Sequence, residues 1–321
     1  MKIQPINGEF MNVLIIGEFP ESSKKNIVGL FPDTWRIQIA APEDSVRFLK
    51  DAEVVIPEHV IIDAHFLDQA PKLRLVQTGA GYDNVDIGEC TKRGVRVCNA
   101  SGVNAVAVAE HVMALLLGFY KNIPYLDSFM KSRRSEKDLD YAGGELYGKT
   151  IGIVGTGNIG RKVASYSRAF GMHVLGYHHR GIASPEMEMV GWNELFRRSD
   201  IVSVHLPLSA ETRGRIGSAE FENMKRTALL INTSRGAVID ENALIRSLKN
   251  GEIAGACLDV YTEEPLASDS PLRDMKNVIL TPHTAGLPDG VKFHINRYRF
   301  FISNIEKVMA GEQPEHALNA V

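Results

Sequence analysis

Two groups of residues in this chain have the types and spacing to do chemistry. The first is the run Gly155-Thr156-Gly157-Asn158-Ile159-Gly160, which directly follows the apolar stretch at 151–154 and opens a helical pattern. In a strand–turn–helix setting, Gly155 supplies the tight turn, Gly157 lets the backbone approach a pyrophosphate, and Gly160 allows close helix–strand packing. The helix N-terminus then faces the anion. These six residues are predicted to hold a dinucleotide. The second group is three ionisable side chains, each just past a predicted strand: Arg235 in NTSRG, Glu264 in YTEEP and His283 in TPHTAG. They lie 29 and 19 positions apart in sequence. Residues at the carboxyl ends of parallel strands nevertheless converge on one crevice, which makes the three candidates for catalysis as a set. Any one of them alone would be read as a loop charge.

The end of the second strand of the nucleotide motif decides which dinucleotide is taken. A carboxylate there bonds the ribose 2′-hydroxyl of NAD, whereas a cation accommodates the 2′-phosphate of NADP. The strand predicted over 173–177 ends in Tyr177-His178-His179-Arg180, with no Asp or Glu at the tip. Arg180 can form a charge-assisted fork with phosphate. NADP(H) is therefore the expected cofactor and NAD(H) the alternative, with His178, His179 and Arg180 as the discriminating residues.

The elements that must position these groups are legible as strands alternating with helix-length stretches, the pattern of parallel α/β sheets. A first series has strands at 12–16, 36–39, 54–56, 73–77 and 95–98. A second has them at 151–154, 173–177, 201–205, 228–232, 254–258 and 278–280. Helices are predicted at 219–224 and at 241–250, the latter capped by Asp240. Residues 104–119 are apolar nearly all round, interrupted by Glu110 and His111, as suits a connector helix buried between layers. Residues 121–147 turn polar and read as an arm, a partner-contacting segment or a surface loop. A further amphipathic helix over 291–309 has no strand to cross over to.

Composition bounds the rest. The 321 residues suffice for about two domains. The 44% hydrophobic and 23% charged fractions belong to an ordinary globular chain. A net charge of −3 lacks the basic footprint of a nucleic-acid binder, and the one tight basic cluster, Lys131, Arg133 and Arg134, reads as a solvated loop face. Cys90, Cys98 and Cys257 are odd in number and widely spaced, so they build neither a disulfide framework nor a metal site. No metal is expected, and the reducing cytoplasm is the expected compartment. The run MNVLIIG at 11–17 is too short for a signal-peptide core, and 105–119 is broken by charge, so no membrane association is expected.

Nearly the whole chain resembles the D-isomer-specific 2-hydroxyacid dehydrogenases. The resemblance is carried by GAGYDNVDI at 79–87, VNAVAVAEHVMALLL at 103–117, ELYGKTIGIVGTGNIG at 145–160, SDIVSVHLPLSAETRG at 199–214, NTSRGAVID at 232–240, LDVYTEEPL at 258–266 and TPHTAG at 281–286, in matching order and spacing. It implies two Rossmann-like or flavodoxin-like parallel-sheet α/β domains. A nucleotide domain at 105–286 would be inserted into a discontinuous substrate domain formed by 1–104 and 287–321, which would account for the helix after 290. Arg235 would grip a 2-keto acid by carboxylate and carbonyl. His283 would be the proton donor in reduction, and Glu264, directly before proline, would favour its imidazolium form. Gly79, Ala80 and Gly81 would cradle the substrate carboxylate on backbone N–H groups. His205, Pro207, Thr212 and Thr233 would line the cofactor, and Asp259 would contact the nicotinamide carboxamide.

Departures from relatives narrow the substrate. Glu264 argues against a formate dehydrogenase, and Ala80 stands where phosphite dehydrogenases carry lysine. The loop Pro57-Glu58-His59 lacks the arginine of phosphoglycerate dehydrogenases, and an anionic Glu58 there would repel a second anion. A small 2-keto or 2-hydroxy acid with one carboxylate and a short tail is the expected partner, glyoxylate and hydroxypyruvate among them. The resemblance also places a dimerisation arm at 121–147, so a homodimer is expected, although the arm's usual tryptophan is absent and Tyr141 stands nearby. The competing reading is a nucleotide-sensing corepressor with little turnover.

Overall fold

In the computed structural model, residues 11–58, 60–182, 184–290 and 292–321 are described, and they divide into two compact units. One comprises the residues up to Asn104 together with Leu287–Val321, the other Ala105–Gly286.

The first unit is built on five parallel strands: β1 (Met11–Ile16), β2 (Trp35–Ala40), β3 (Val54–Pro57), β4 (Leu75–Gln77) and β5 (Arg96–Cys98). Their order is β2-β1-β3-β4-β5. Because side chains alternate across a strand, β1 sends Val13 and Ile15 to one layer and Leu14 and Ile16 to the other. The layer over Val13 and Ile15 contains Ile27, Phe31 and the helix Ile295–Met309, which inserts Tyr298, Phe301 and Ile305. The opposite layer contains Leu49, Phe66, Leu67 and Cys90. With both faces covered, β3 reads as an unbroken apolar run, as a central parallel strand must. The last helix starts at Ile295 rather than within the predicted 291–294; Val291 itself lies outside the described residues.

The second unit carries seven parallel strands: β6 (Thr150–Val154), β7 (His173–Tyr177), β8 (Glu188–Met189), β9 (Ile201–Val204), β10 (Leu229–Asn232), β11 (Gly255–Leu258) and β12 (Val278–Leu280). The order β12-β11-β10-β9-β6-β7-β8 is doubly wound, reversing between β6 and β9. The helix Ala105–Tyr120 buries Ala109, Val112, Met113 and Leu116 against Ile151, Ile153 and Ile231 of the sheet, beside Val163. Leu195, Phe196, Phe221 and Leu244 cover the other face. Asp240 caps the helix Glu241–Lys249, its Oδ1 accepting the Ala243 N–H at 3.0 Å.

Two features of this unit differ from the expectation. The two-residue strand β8 is too short to show an alternation in sequence. Within 121–147, residues Ile123–Lys131 form a helix that buries Phe129, with Pro124 in its first turn and Asn122 in the left-handed region at φ 52° just before it. Among the described residues no single helix is long and apolar enough to cross a membrane.

Candidate active site

The glycine run sits at the β6/β9 reversal, where an open α/β sheet presents its crevice. Gly155 has φ 99°, and a Cβ there would stand 2.6 Å from the His205 carbonyl oxygen. A side chain at this position is therefore excluded twice, by conformation and by space. A Cβ on Gly160 would overlap the Gly155 carbonyl, so helix and turn meet backbone to backbone. At Gly157 the situation is reversed, since no protein atom lies within 4 Å of a Cβ built there. The helix Asn158–Ala169 receives no side-chain cap at Gly157, which leaves its first N–H donors for an anion. Thr156 is buried behind the turn, and Ile159 packs into the core beneath it.

Two polar atoms past the carboxyl ends of β9 and β10 are buried without a protein partner among the described residues: Nδ1 of His205 and Oγ1 of Thr233. Both residues were expected to line the cofactor, and orphaned buried polar atoms fit a site that completes its hydrogen bonds with a polar ligand. The His205 Nε2 is 2.8 Å from Ser203 Oγ. Burial pushes the His205 ring down to about 3, so it is neutral at working pH. In the unfolded chain the same ring takes up a proton near pH 6.5, so the folded state loses stability as the pH falls below that value. Between pH 7 and pH 5 the loss is about 2 kcal/mol. His205→Gln is expected to remove most of that increment in urea unfolding at the two pH values, and an equal pH dependence in both proteins would refute the assignment.

The remaining expected cofactor residues take varied positions. His178 and His179 stack with ring centroids 4.8 Å apart, and His178 Nδ1 accepts the Arg180 N–H at 3.1 Å. Burial, then the neighbouring His179 and Arg180 charges, lower the pKa of His178. The Arg180 side chain is exposed. Thr212 is engaged within its own loop: its hydroxyl donates to the Pro207 carbonyl at 2.7 Å and accepts the Ser209 N–H at 2.8 Å. Asp259 is fully buried at the end of β11. Its Oδ1 accepts from Thr281 Oγ1 at 2.6 Å and from the Thr284 N–H at 2.9 Å, while Oδ2 accepts the Ala285 N–H at 2.9 Å. The geometry makes Asp259 the anchor of the His283 loop, whatever else it contacts.

That loop carries strain. His283 sits at φ 52°, costly for a residue with a Cβ, and is held there by its N–H bonded to the Asp259 carbonyl at 2.8 Å. Its Nδ1 is 2.6 Å from Glu264 Oε2. The other oxygen, Oε1, accepts the Tyr261 N–H at 3.1 Å, which fixes the carboxylate plane. Glu264 rather than Glu263 is thus the partner of the ring. Arg235 follows β10 on a loop shaped by Asn232, whose Nδ2 donates to the Arg235 carbonyl at 3.0 Å and whose Oδ1 accepts from Ser234. The guanidinium Nη1 donates to the Ser234 carbonyl at 2.8 Å. Gly236 then brings this loop against the Glu264 loop, since a Cβ there would overlap the Tyr261 carbonyl group.

Sequence reading missed the supports of this arrangement. His111 Nε2 lies 3.0 Å from Thr281 Oγ1. Because the threonine hydroxyl gives its proton to the Asp259 carboxylate, His111 must be the donor in that contact. In sequence His111 is only an interruption of an apolar helix, and nothing local marks a contact made across 170 positions.

In the first unit, the turn at 79–81 has its Gly79 carbonyl bonded to the Ala100 N–H at 2.9 Å and its Ala80 carbonyl to Asn99 Nδ2 at 3.0 Å. Among the described residues the N–H groups of Gly79, Ala80 and Gly81 have no protein acceptor, as an anion cradle requires. The expectation for Glu58 needs correction. It is not an isolated anion, because Arg297 Nη2 pairs with its Oε1 at 2.7 Å. His59, the third residue of that loop, lies outside the described residues.

The chain is similar to known proteins over most of its length. The profile of the NAD binding domain of D-isomer specific 2-hydroxyacid dehydrogenases matches residues 113–285. A glyoxylate reductase of Korarchaeum cryptofilum is 37% identical over 322 residues, 96% of this chain and 95% of its own. Among solved structures, an acyclic imino acid reductase in complex with NADPH and D-Arg is 29% identical with a TM-score of 0.82, covering 96% of this chain and 100% of its own. A D-lactate dehydrogenase of Aquifex aeolicus in complex with NAD and lactic acid is 28% identical with a TM-score of 0.82, covering 94% and 96% respectively.

Proposed function

The chain belongs to the D-isomer-specific 2-hydroxyacid dehydrogenases, and on that premise we propose that it reduces a small 2-keto acid to the D-2-hydroxy acid, with NADPH preferred to NADH. The observation that carries this reading is the His283–Glu264 pair at 2.6 Å, held at the carboxyl ends of the same sheet as the glycine turn. When bound, the reduced nicotinamide supplies a hydride to the carbonyl carbon. His283, with Nδ1 bonded to Glu264, gives the proton on Nε2 to the carbonyl oxygen. Arg235 binds the substrate carboxylate and orients the carbonyl. The test is oxidation of NADPH with glyoxylate, hydroxypyruvate, pyruvate and phenylpyruvate in turn; turnover of none of them would overturn the reading.

The cofactor preference rests on the absence of a carboxylate at the β7 tip and on the exposed Arg180. Arg180→Asp places a like charge against the 2′-phosphate and is expected to shift the kcat/KM ratio of NADPH to NADH towards NADH by about tenfold or more. A ratio unchanged by the substitution would show that Arg180 does not read the phosphate.

A homodimer through the segment at 121–147 completes the proposal. This segment leaves Ile123, Met130 and Tyr141 at 54%, 63% and 43% exposure, an apolar surface suited to a second copy. Light scattering at micromolar concentration is expected to give twice the chain mass, and a monomer would end this part of the account.

A further inference from the structure

Three side chains that take no part in the proposed chemistry form one chain of hydrogen bonds inside the second unit. His111 stands on the helix Ala105–Tyr120, Thr281 directly follows β12, and Asp259 directly follows β11. The His111 Nε2 is 3.0 Å from Thr281 Oγ1, and the threonine hydroxyl donates to Asp259 Oδ1 at 2.6 Å. The ring itself stays 3.6 Å from Oδ1, too far to bond it well, so Thr281 is the link. A hydroxyl has a single proton, and here it goes to the carboxylate. Nε2 must therefore carry the proton of the first contact, which fixes the direction of the whole chain from imidazole to hydroxyl to carboxylate. The carboxylate, with 1% of its side chain exposed, has to be met by donors, and Thr281, Thr284 and Ala285 supply them from one short segment. The Asp259 carbonyl accepts the His283 N–H at 2.8 Å. The segment at 281–285 thus wraps around Asp259 with His283 in its middle at φ 52°, a conformation that persists only where the surroundings over-determine it.

Of the three donors to Asp259, the two backbone N–H groups are fixed by the chain, whereas the hydroxyl rotates. Its direction is set by its other neighbour. Facing a lone pair on Nε2, it would be drawn to donate to the ring, and Asp259 would lose a donor. Facing an N–H, it accepts from the ring and passes its own proton to the carboxylate, and the bond it accepts polarises the bond it gives. We propose that His111 is a positioning residue for the proton donor: by donating to Thr281 it locks the hydroxyl onto Asp259 and so holds the 281–285 loop in the form that presents His283. Its effect on turnover rests on the reductase reading above, while its effect on the loop has a readout of its own.

The test sets His111→Phe, which keeps a ring without the donor, against His111→Gln, whose amide nitrogen can reach the place of Nε2. With glyoxylate and NADPH, His111→Phe is expected to lower kcat by about 3- to 10-fold, the scale of one hydrogen bond, while the KM for glyoxylate moves by less than about twofold because Arg235 stands on another loop. His111→Gln is expected to restore kcat to within about twofold of the unaltered protein. Thr281→Val cuts the chain next to the carboxylate and is expected to cost about 10- to 100-fold, the range for hydrogen bonds to charged groups. Adding His111→Phe to Thr281→Val should then cost less than about twofold more, since the ring has no hydroxyl left to direct. Amide hydrogen exchange at Thr284 and Ala285 is expected to quicken by about tenfold in His111→Phe and to return in His111→Gln, with no need of turnover. Should His111→Phe not fold, His111→Asn, whose amide is too short to reach Thr281, takes its place with the same expectations. An unchanged kcat in His111→Phe, a His111→Gln protein as impaired as His111→Phe, or losses that multiply in the double variant would overturn the proposal and leave the reductase reading intact. Absence of turnover in the unaltered protein would overturn the reductase reading, and exchange then decides the positioning role: unaltered rates at Thr284 and Ala285 in His111→Phe would overturn it.

Discussion

His283→Ala is expected to lower kcat for keto acid reduction by about 10²–10⁴-fold, the contribution of a positioned general acid. The imidazole is held by Glu264 through Nδ1 and by a strained backbone anchored on Asp259, so the proton donor is positioned by side chain and backbone together. Binding of the cofactor, which draws on the glycine turn and the residues around His205, is expected to persist. Glu264→Gln keeps an acceptor or donor beside the ring but removes the charge, so its loss should be smaller than that of His283→Ala. Glu263→Gln, at an exposed side chain, should leave the rate close to that of the unaltered protein. Steady-state kinetics on the three variants checks the order; a larger effect at Glu263 than at Glu264 would contradict the assignment.

Arg235→Lys is the second substitution with a large expected effect. It keeps the positive charge but loses the planar fork that can grip a carboxylate and a carbonyl together. The KM for the keto acid is expected to rise by about 10- to 100-fold, on the scale of a charged hydrogen bond, with a smaller fall in kcat if orientation of the carbonyl is also lost. Because Nη1 already donates to the Ser234 carbonyl, the guanidinium is preorganised, and the more flexible ammonium is not. An unchanged KM would show that the carboxylate is bound elsewhere.

Sequence was most informative where chemistry is written locally. The glycine run required Gly155 and Gly160 for backbone contacts that the structure shows directly, and strands of continuous apolar residues such as β3 and β10 announced their burial. Choosing Glu264 over Glu263 was out of reach of composition or spacing and came only with the resemblance, whereas in the structure it is a distance. Contacts between distant segments were hidden. Glu58 looks like a lone anion in sequence because its partner is 239 positions away. His111 was likewise invisible as a donor until β12 brought Thr281 beside it. The helix Ile123–Lys131 was masked by the polar composition around it, since only Phe129 is buried.

The central claim is that this chain transfers hydride from a nicotinamide to the carbonyl carbon of a 2-keto acid while His283 protonates the oxygen. Its most direct test is to reduce hydroxypyruvate with NADPH deuterated at the transferable position and to analyse the product by NMR and chiral chromatography. The account predicts a single enantiomer, the D-2-hydroxy acid, carrying deuterium at C2, and a severe loss of that product with His283→Ala. Product without deuterium at C2, the L enantiomer, or undiminished formation in the His283→Ala protein would contradict it.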